Sequence, residues 1–233
     1  MSAPYFYEPL ITVGASNYTC SEETSKHCAQ VLRMQSGDAL TITNGLGGVF
    51  EATILEAHKK NTQIQIVKEI NIAAPIQKLV LGISILKNAV RLEWLFEKAT
   101  EMGVHSIVPL LCERTIHERF KTDRMNNIIQ SAMIQSQQAW LPYLSQPVSF
   151  KDFIHQYNAI DKYIPHCEPT VKTSIKDLPN SKDLVIAIGP EGDFTPSEIE
   201  MAIEANYQPI GLGPTRLRTE TAGLFALSVL KTF

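Results

Sequence analysis

The hydrophobic positions of this chain follow two different rhythms. In the first 70 or so residues they recur at short spacing. Thr62-Gln63-Ile64-Gln65-Ile66 alternates with period two, the pattern of a half-buried strand. Ala39 to Thr43 and Val49 to Ala57 read as strands joined by the hairpin-type loop Asn44-Gly45-Leu46-Gly47-Gly48, after a turn at Gly37-Asp38. Tyr5-Phe6-Tyr7 is a short aromatic stretch. Ser21 with Glu22-Glu23 behind it opens a helix as N-cap and acidic first turn. Cys28, Val31 and Leu32 would share one face of that helix. The region predicts a small domain of short antiparallel strands with one helix, and Asn71 to Gln77, with Ala73-Ala74-Pro75, as a linker.

From residue 79 the rhythm changes to strand, then helix. Leu79 to Leu86 is a continuous apolar run, as in a strand buried on both faces. Leu92, Leu95, Phe96, Ala99 and Met102 then fall at helical spacing, with Gly103 as C-cap. Ser106 to Leu111 is the next strand. Met125, Ile128, Ile129 and Ala132 mark a helix ending near Trp140, and Lys151 to Tyr157 is a shorter one. Leu184 to Ile188 is a buried strand. Thr195-Pro196-Ser197-Glu198 is a helix start, with Thr195 as N-cap, Pro196 at N1 and Glu198 at N3. That helix would turn Ile199, Ala202 and Ile203 inward. Pro209 to Leu212 is a strand and Glu220 to Lys231 a last helix. Such alternation predicts an α/β domain with a mostly parallel sheet covered on both faces.

Composition narrows the class. The 233 residues are 44% hydrophobic and only 19% charged, which excludes a disordered chain. No apolar run approaches the ~18 residues of a membrane span. Met1-Ser2-Ala3-Pro4-Tyr5 shows no signal peptide. Cys20, Cys28, Cys112 and Cys167 form no CxxC, and free thiols suit a reducing, cytoplasmic setting. The net charge is −3, yet residues 59–124 hold 11 Lys+Arg against 7 Asp+Glu. A local basic surface of this kind is either a solvated face or a phosphate-neutralising patch.

Several machines are excluded by motif. There is no GxxxxGK[ST], no GxGxxG, no GxSxG and no HExxH. The sulfur–imidazole neighbours His27-Cys28, Cys112 with His117, and His166-Cys167 lack the closely paired spacing of a metal site, so no metal is expected. They read as isolated surface or core residues.

Three loops at strand ends carry the polar chemistry. Gly189-Pro190-Glu191-Gly192-Asp193-Phe194 follows a buried strand, where open α/β sheets place ligands. It is either a ligand loop or an ordinary strand–helix turn. Leu212 to Ala222, sequence LGPTRLRTETA, also runs from strand into helix. Thr219 suits an N-cap and Glu220 the first turn. Arg216 and Arg218 are unfavourable beside a helix N-terminus, so they point to an anion or to a substrate that becomes one. Cys112-Glu113-Arg114-Thr115 ends the strand Ser106–Leu111. Lys87 and Arg91 bracket the start of the helix that holds Leu92.

These residues carry a family resemblance. His27 with Val31-Leu32-Arg33-Met34 and Gly37-Asp38, the run KNAVRLEWLFEKATEMG from Lys87 to Gly103, Cys112-Glu113-Arg114, Gln135-Ser136, Gly189-Pro190-Glu191-Gly192, and Leu212-Gly213 with Leu217 to Ala222 span nearly the whole chain. Together they resemble the bacterial 16S rRNA uracil-N3 methyltransferases, the RsmE type of the SPOUT superfamily. The resemblance implies an N-terminal PUA-like β-barrel, residues 1–72, that helps bind RNA. It implies a C-terminal SPOUT α/β domain, residues 73–233, with a deep trefoil knot. It implies a homodimer that uses S-adenosylmethionine to methylate N3 of one uridine near the decoding centre of 16S rRNA.

Carried over by position, the cofactor loops are Leu110-Leu111, Gly189-Pro190-Glu191-Gly192, and Leu212-Gly213 with Leu217-Arg218-Thr219. S-adenosylmethionine carries no phosphate, so a missing P-loop is no obstacle. Loss of the uracil N3 proton leaves negative charge shared with O2 and O4, and Arg218 is placed to stabilise it. Glu220, or a water it orients, is the candidate proton acceptor. Arg114 would contact the cofactor carboxylate or the target nucleotide. Arg33, Lys87 and Arg91 are the candidate RNA contacts. Gln138 and Thr215 stand where many members carry a basic residue, and Asp193 follows the GPEG run in place of a third glycine. Two other readings remain at this point: a SPOUT methyltransferase for another RNA site, and a non-catalytic RNA-binding ribosome-assembly factor.

Overall fold

The computed structural model describes residues 3–116, 119–157 and 161–231. The chain divides into two compact units, Met1–Ala74 with Gln130–Leu141, and Pro75–Ile129 with Pro142–Phe233.

The first unit contains β1 (Tyr5–Tyr7), β2 (Asn17–Thr19), α1 (Glu22–Lys26), β3 (Ala39–Thr43), β4 (Gly48–Glu56) and β5 (Gln63–Asn71). Its sheet has the order β1-β3-β4-β5-β2, antiparallel except for the β1–β3 pair. The alternation seen in sequence sends Leu40, Ile42, Phe50, Ala52, Ile54 and Ile64 into one core. Ser21 caps α1 by accepting from the Thr24 N–H. Beyond α1 the expected helical face fails: Cys28 is fully buried, but Val31 is 65% and Leu32 43% exposed. Residues His27–Val31 form a π-helical turn, in which the Leu32 N–H reaches back five residues to the His27 carbonyl. The 3.6-residue spacing on which that face depended is lost there.

Strand β5 runs through Asn71, where the linker was expected to start. Residues 130–141 pack with the first unit. The Trp140 indole N–H donates to the carbonyls of Ile72 and Ala73, each at 3.1 Å, and the Leu141 N–H donates to the Gly45 carbonyl at 2.9 Å.

The second unit contains β6 (Lys78–Ser84), α2 (Ala89–Glu101), β7 (Ser106–Leu111), the start of α3 (Thr122–Gln135), β8 (Tyr143–Leu144), β9 (Val148–Ser149), α4 (Phe150–Gln156), β10 (Asp161–Pro165), β11 (Thr173–Ser174), β12 (Asp183–Ile188), α5 (Pro196–Glu204), β13 (Gln208–Gly211) and α6 (Thr219–Leu230). Every pairing in its sheet is parallel, with the order β11-β13-β10-β12-β6-β7-β8 and β9 beside β7. A mostly parallel sheet is what the strand–helix alternation predicts. Two differences are local. Helix α3 stops at Gln135, short of Trp140, because Gln137 takes a left-handed backbone at φ 54°. Ile203 is 47% exposed, leaving Ile199 and Ala202 as the inward face of α5.

The sequence pattern announces none of β2, β8, β9, β10 and β11, and of these β10 bears most on the site. β10, Asp161-Lys162-Tyr163-Ile164-Pro165, begins with two charges and ends in proline, so it shows no apolar run. It nevertheless pairs with both β12 and β13 at the centre of the sheet. No described helix is long and apolar enough to cross a membrane.

Candidate active site

A cavity of about 700 Å³ opens at the carboxyl ends of β10, β12 and β13. Parallel strands all point the same way, so the loops leaving neighbouring strands converge at one edge of the sheet. Here the wall is built from residues 165–167 and Lys172 at and beyond the end of β10, residues 188–191 and Asp193 at and beyond the end of β12, and residues 210–219 at and beyond the end of β13. Arg91 of α2 and Ala222 of α6 complete it.

The loop after β12 is tied down on every side. The Glu191 carboxylate accepts from the Lys87 N–H at 3.2 Å. The Arg114 guanidinium donates to the carbonyl of Gly192 at 2.7 Å and of Phe194 at 3.3 Å. Asp193 stands at φ 65°, a region where glycine is at ease and a short polar side chain is tolerated. Its carboxylate accepts from the Phe194 N–H at 2.8 Å and from the Cys167 N–H at 2.6 Å, so it joins the β12 loop to the β10 loop. Phe194 is fully buried, with its ring 4.8 Å from that of Phe150. Thr195 then caps α5 in the expected capping box with Glu198, with Pro196 beside it. Thr195 Oγ1 also donates to Glu113 at 2.9 Å, and the buried Glu198 accepts from the Glu113 N–H at 2.8 Å.

The loop after β13 turns at Gly213, whose φ of 126° strains any residue with a Cβ. Arg218, not Thr219, is the N-cap of α6, and its side chain makes no capping bond. The side chains of Arg216 and Arg218 are exposed and make no hydrogen bond or ion pair among the described residues. Thr219 and Glu220 are buried in the first turn. The Glu220 carboxylate faces Arg91, with Oε1 3.6 Å from Nε.

The loop after β10 brings in a residue that the sequence reading set aside. His166 is 8% exposed and lines the cavity, and neither ring nitrogen has a hydrogen-bond partner. Burial, then the neighbouring Lys172 ammonium, hold its pKa below the usual 6.5 against the opposing pull of Asp193 and Glu168. Lys172 itself donates to the carbonyls of His166 at 2.8 Å and Glu168 at 2.6 Å. His166-Cys167 is thus cavity wall rather than an isolated pair. What hid it was the unread strand β10, since without that strand the loop has no position.

The structure therefore sorts the expected site residues. Gly189, Pro190, Glu191, Leu212, Gly213, Leu217, Arg218 and Thr219 line the cavity, as does Arg91. Leu110, Leu111, Gly192, Arg114, Glu220 and Lys87 do not. Leu110 is buried inside β7, and sheet order explains its distance from the site: β6 separates β7 from β12, while β10 fills the place between β12 and β13. The third loop of the pocket is accordingly that of β10, and Cys112–Thr115 braces the β12 loop from behind. Arg114 grips backbone carbonyls, and Glu220 faces Arg91 from behind the wall. Lys87 and Arg33 are exposed, Arg33 at a left-handed φ of 54°. Burial pushes the Cys112 thiol up to about 12, which leaves it inert. No cluster of metal-ligating groups occurs among the described residues, and His117 lies outside them.

Comparison with known proteins follows this geometry. Residues 73–231 match the model of the RNA methyltransferase domain family, and residues 21–67 that of the RNA methyltransferase PUA domain. Ribosomal RNA small subunit methyltransferase E of Synechocystis sp. is 32% identical over 208 residues, covering 85% of this chain and 67% of that protein. The protein of the same name from Buchnera aphidicola subsp. Acyrthosiphon pisum is 32% identical over 226 residues, covering 92% and 87%. Among solved structures, the small subunit methyltransferase E of Neisseria gonorrhoeae, bound to S-adenosyl methionine, superposes with a TM-score of 0.88 at 27% identity over 98% of this chain and 97% of that one.

Proposed function

The chain belongs to the RNA methyltransferase family, among the ribosomal RNA small subunit methyltransferases E, and from that premise we propose that it methylates N3 of one uridine near the decoding centre of 16S rRNA, using S-adenosylmethionine. The observation that carries this reading is the cavity at three parallel strand ends, walled by the two loops that define the family resemblance. Its volume suits a small cofactor. The donor set suits one without phosphate: two glycine-bearing loops offer backbone groups, and the unpartnered His166 offers a polar contact.

When bound, S-adenosylmethionine supplies a methyl group already activated on a sulfonium. Gly189–Glu191, Leu212-Gly213 and the backbone of Leu217–Thr219 would hold it. The protein's remaining task is to place uracil in line and to favour loss of the N3 proton. Arg218, unpaired in the wall, stabilises the negative charge that develops over N3, O2 and O4. The buried Glu220 carboxylate faces Arg91 and orients that guanidinium, which makes it a positioning residue. Arg114 likewise acts through the β12 loop. Arg33 and Lys87, both exposed, and Arg91 supply positive charge for the RNA backbone.

The same reading takes the first unit as a PUA-like barrel that helps bind RNA. It takes the second as a SPOUT domain whose loops thread a trefoil knot, and the working enzyme as a homodimer in the cytoplasm. The test is nucleoside mass spectrometry of 16S rRNA from cells with and without the protein, with light scattering of the purified chain. Loss of 3-methyluridine, restored by the purified protein with S-adenosylmethionine, is the expected result, together with a mass of twice 26.0 kDa. Unchanged 3-methyluridine with another methylated nucleoside missing would move the target elsewhere.

A further inference from the structure

An imidazole in the cavity wall stands out because nothing among the described residues satisfies it. Strand β10 lies between β12 and β13. The residue that follows its last position therefore emerges between the two cofactor loops. That residue is His166, more than nine-tenths buried and with both ring nitrogens unpartnered. A buried polar group without a partner is costly, and proteins keep few of them. The other polar side chains of the wall are differently placed. Glu191 and Asp193 already accept from backbone N–H groups, and Arg91 faces Glu220. Lys172 is turned onto the carbonyls of residues 166 and 168. Arg216 and Arg218 are exposed cations that can only donate.

We propose that His166 is a binding residue for the cofactor, giving a hydrogen bond to S-adenosylmethionine through one ring nitrogen and accepting one, from the cofactor or a water it orders, through the other. The proposal rests on the reading that this cavity takes S-adenosylmethionine. Either tautomer of a neutral imidazole offers one donor and one acceptor. Burial and Lys172 favour the neutral ring, with Asp193 and Glu168 opposing them. A neutral ring also adds no positive charge beside a sulfonium. Acidification should therefore weaken cofactor binding by protonating the free ring, which removes its acceptor and adds one more cation to a wall that already holds Arg91, Lys172, Arg216 and Arg218.

The experiment uses the full chain labelled with ¹⁵N-histidine, titrated with S-adenosylmethionine, alongside calorimetry at pH 7.5 and pH 5.5. His166 resonances are assigned by their loss in His166→Gln. The expected result is a shift of both ring nitrogens on binding and a weaker affinity at the lower pH. His166→Ala should bind roughly tenfold more weakly, the effect of losing one or two neutral hydrogen bonds. His166→Gln, which keeps a donor and an acceptor, should lose less and show a flatter pH dependence. The ring measurement is made on the unaltered protein, so it stands even if a variant folds poorly. Binding by the wild type with unmoved His166 resonances overturns the proposal. No binding by the wild type overturns the reading of the cavity itself, and this inference with it.

Discussion

Arg91 and Glu220 form one unit: the guanidinium lines the cavity, and the buried carboxylate 3.6 Å from its Nε holds it there. Removing one partner of such a pair leaves the other uncompensated. Glu220→Gln and Arg91→Ala should each slow methyl transfer. The double variant should be little worse than the poorer single one, with a coupling of about 1 kcal/mol. Rates at saturating cofactor across pH 6 to 9 check this. A direct proton acceptor would give a different result: Glu220→Gln alone would abolish the pH dependence, and the two losses would add.

Arg114 lies outside the cavity yet bonds two carbonyls of the loop that forms its wall. Arg114→Ala should weaken S-adenosylmethionine binding about tenfold by freeing that loop, since bonds from a charged donor are among the stronger ones. Amide exchange in residues 189–194 should speed up in parallel. Both bonds leave one nitrogen, Nη1, and an ammonium can likewise donate to two carbonyls, as that of Lys172 does, so Arg114→Lys should restore most of the affinity. Normal affinity with a lost saturated rate would return Arg114 to a direct role in the reaction.

The Asp193 side chain joins two loops. Asp193→Gly should lose the bonds to Cys167 and Phe194 while relaxing the backbone. Asp193→Ala loses the same bonds and must also hold φ 65° with a Cβ. It should therefore be the less stable of the two by about 1 kcal/mol, a difference of a few degrees in Tm. Equal stability would show that the left-handed backbone at this position is not maintained.

How much of this was readable from the chain follows from where the signals lay. The Thr195 cap, Gly103 and the run Ser106–Leu111 are local features, and the structure keeps them. The family motifs marked two of the three cavity loops. What failed were features set by long-range packing. β10 has no apolar run to announce it and is a strand only because β12 and β13 flank it. Without β10, His166 has no place in the fold, and the loop after β7 looks like a third wall of the cavity, which the loop after β10 lines instead. The residue type of Thr219 suggests a cap. The helix in fact starts one residue earlier and buries Thr219 in its first turn.

His166 also predicts a pH dependence of stability. Its pKa in the folded chain lies below the usual 6.5, so as the pH falls the unfolded chain takes up this proton first. The contribution is fully present above about pH 7 and is lost as the pH drops through 6.5 towards the folded value. Urea unfolding at pH 7.5 and pH 5.5 should show the wild type losing more stability than His166→Gln over that interval. Identical losses would mean that the ring is as easily protonated in the folded chain as in the unfolded one.

Arg218 carries the sharpest test of the chemistry. It is the N-cap of α6 but makes no capping bond, and a cation there opposes the helix dipole. Nothing in the fold depends on its side chain, so Arg218→Ala should change stability by no more than about 0.5 kcal/mol. If the guanidinium stabilises charge on the uracil ring, its effect belongs to the transition state rather than to cofactor binding. Single-turnover methylation at saturating S-adenosylmethionine should fall by roughly two to three orders of magnitude, the scale of one positioned donor. Arg218→Lys should recover part of that loss. Cofactor affinity, measured by calorimetry on the same variants, should stay near wild type. A collapse of affinity with a normal saturated rate would make Arg218 a cofactor ligand. The stabilising charge would then have to come from Arg216, the other exposed cation of the same loop.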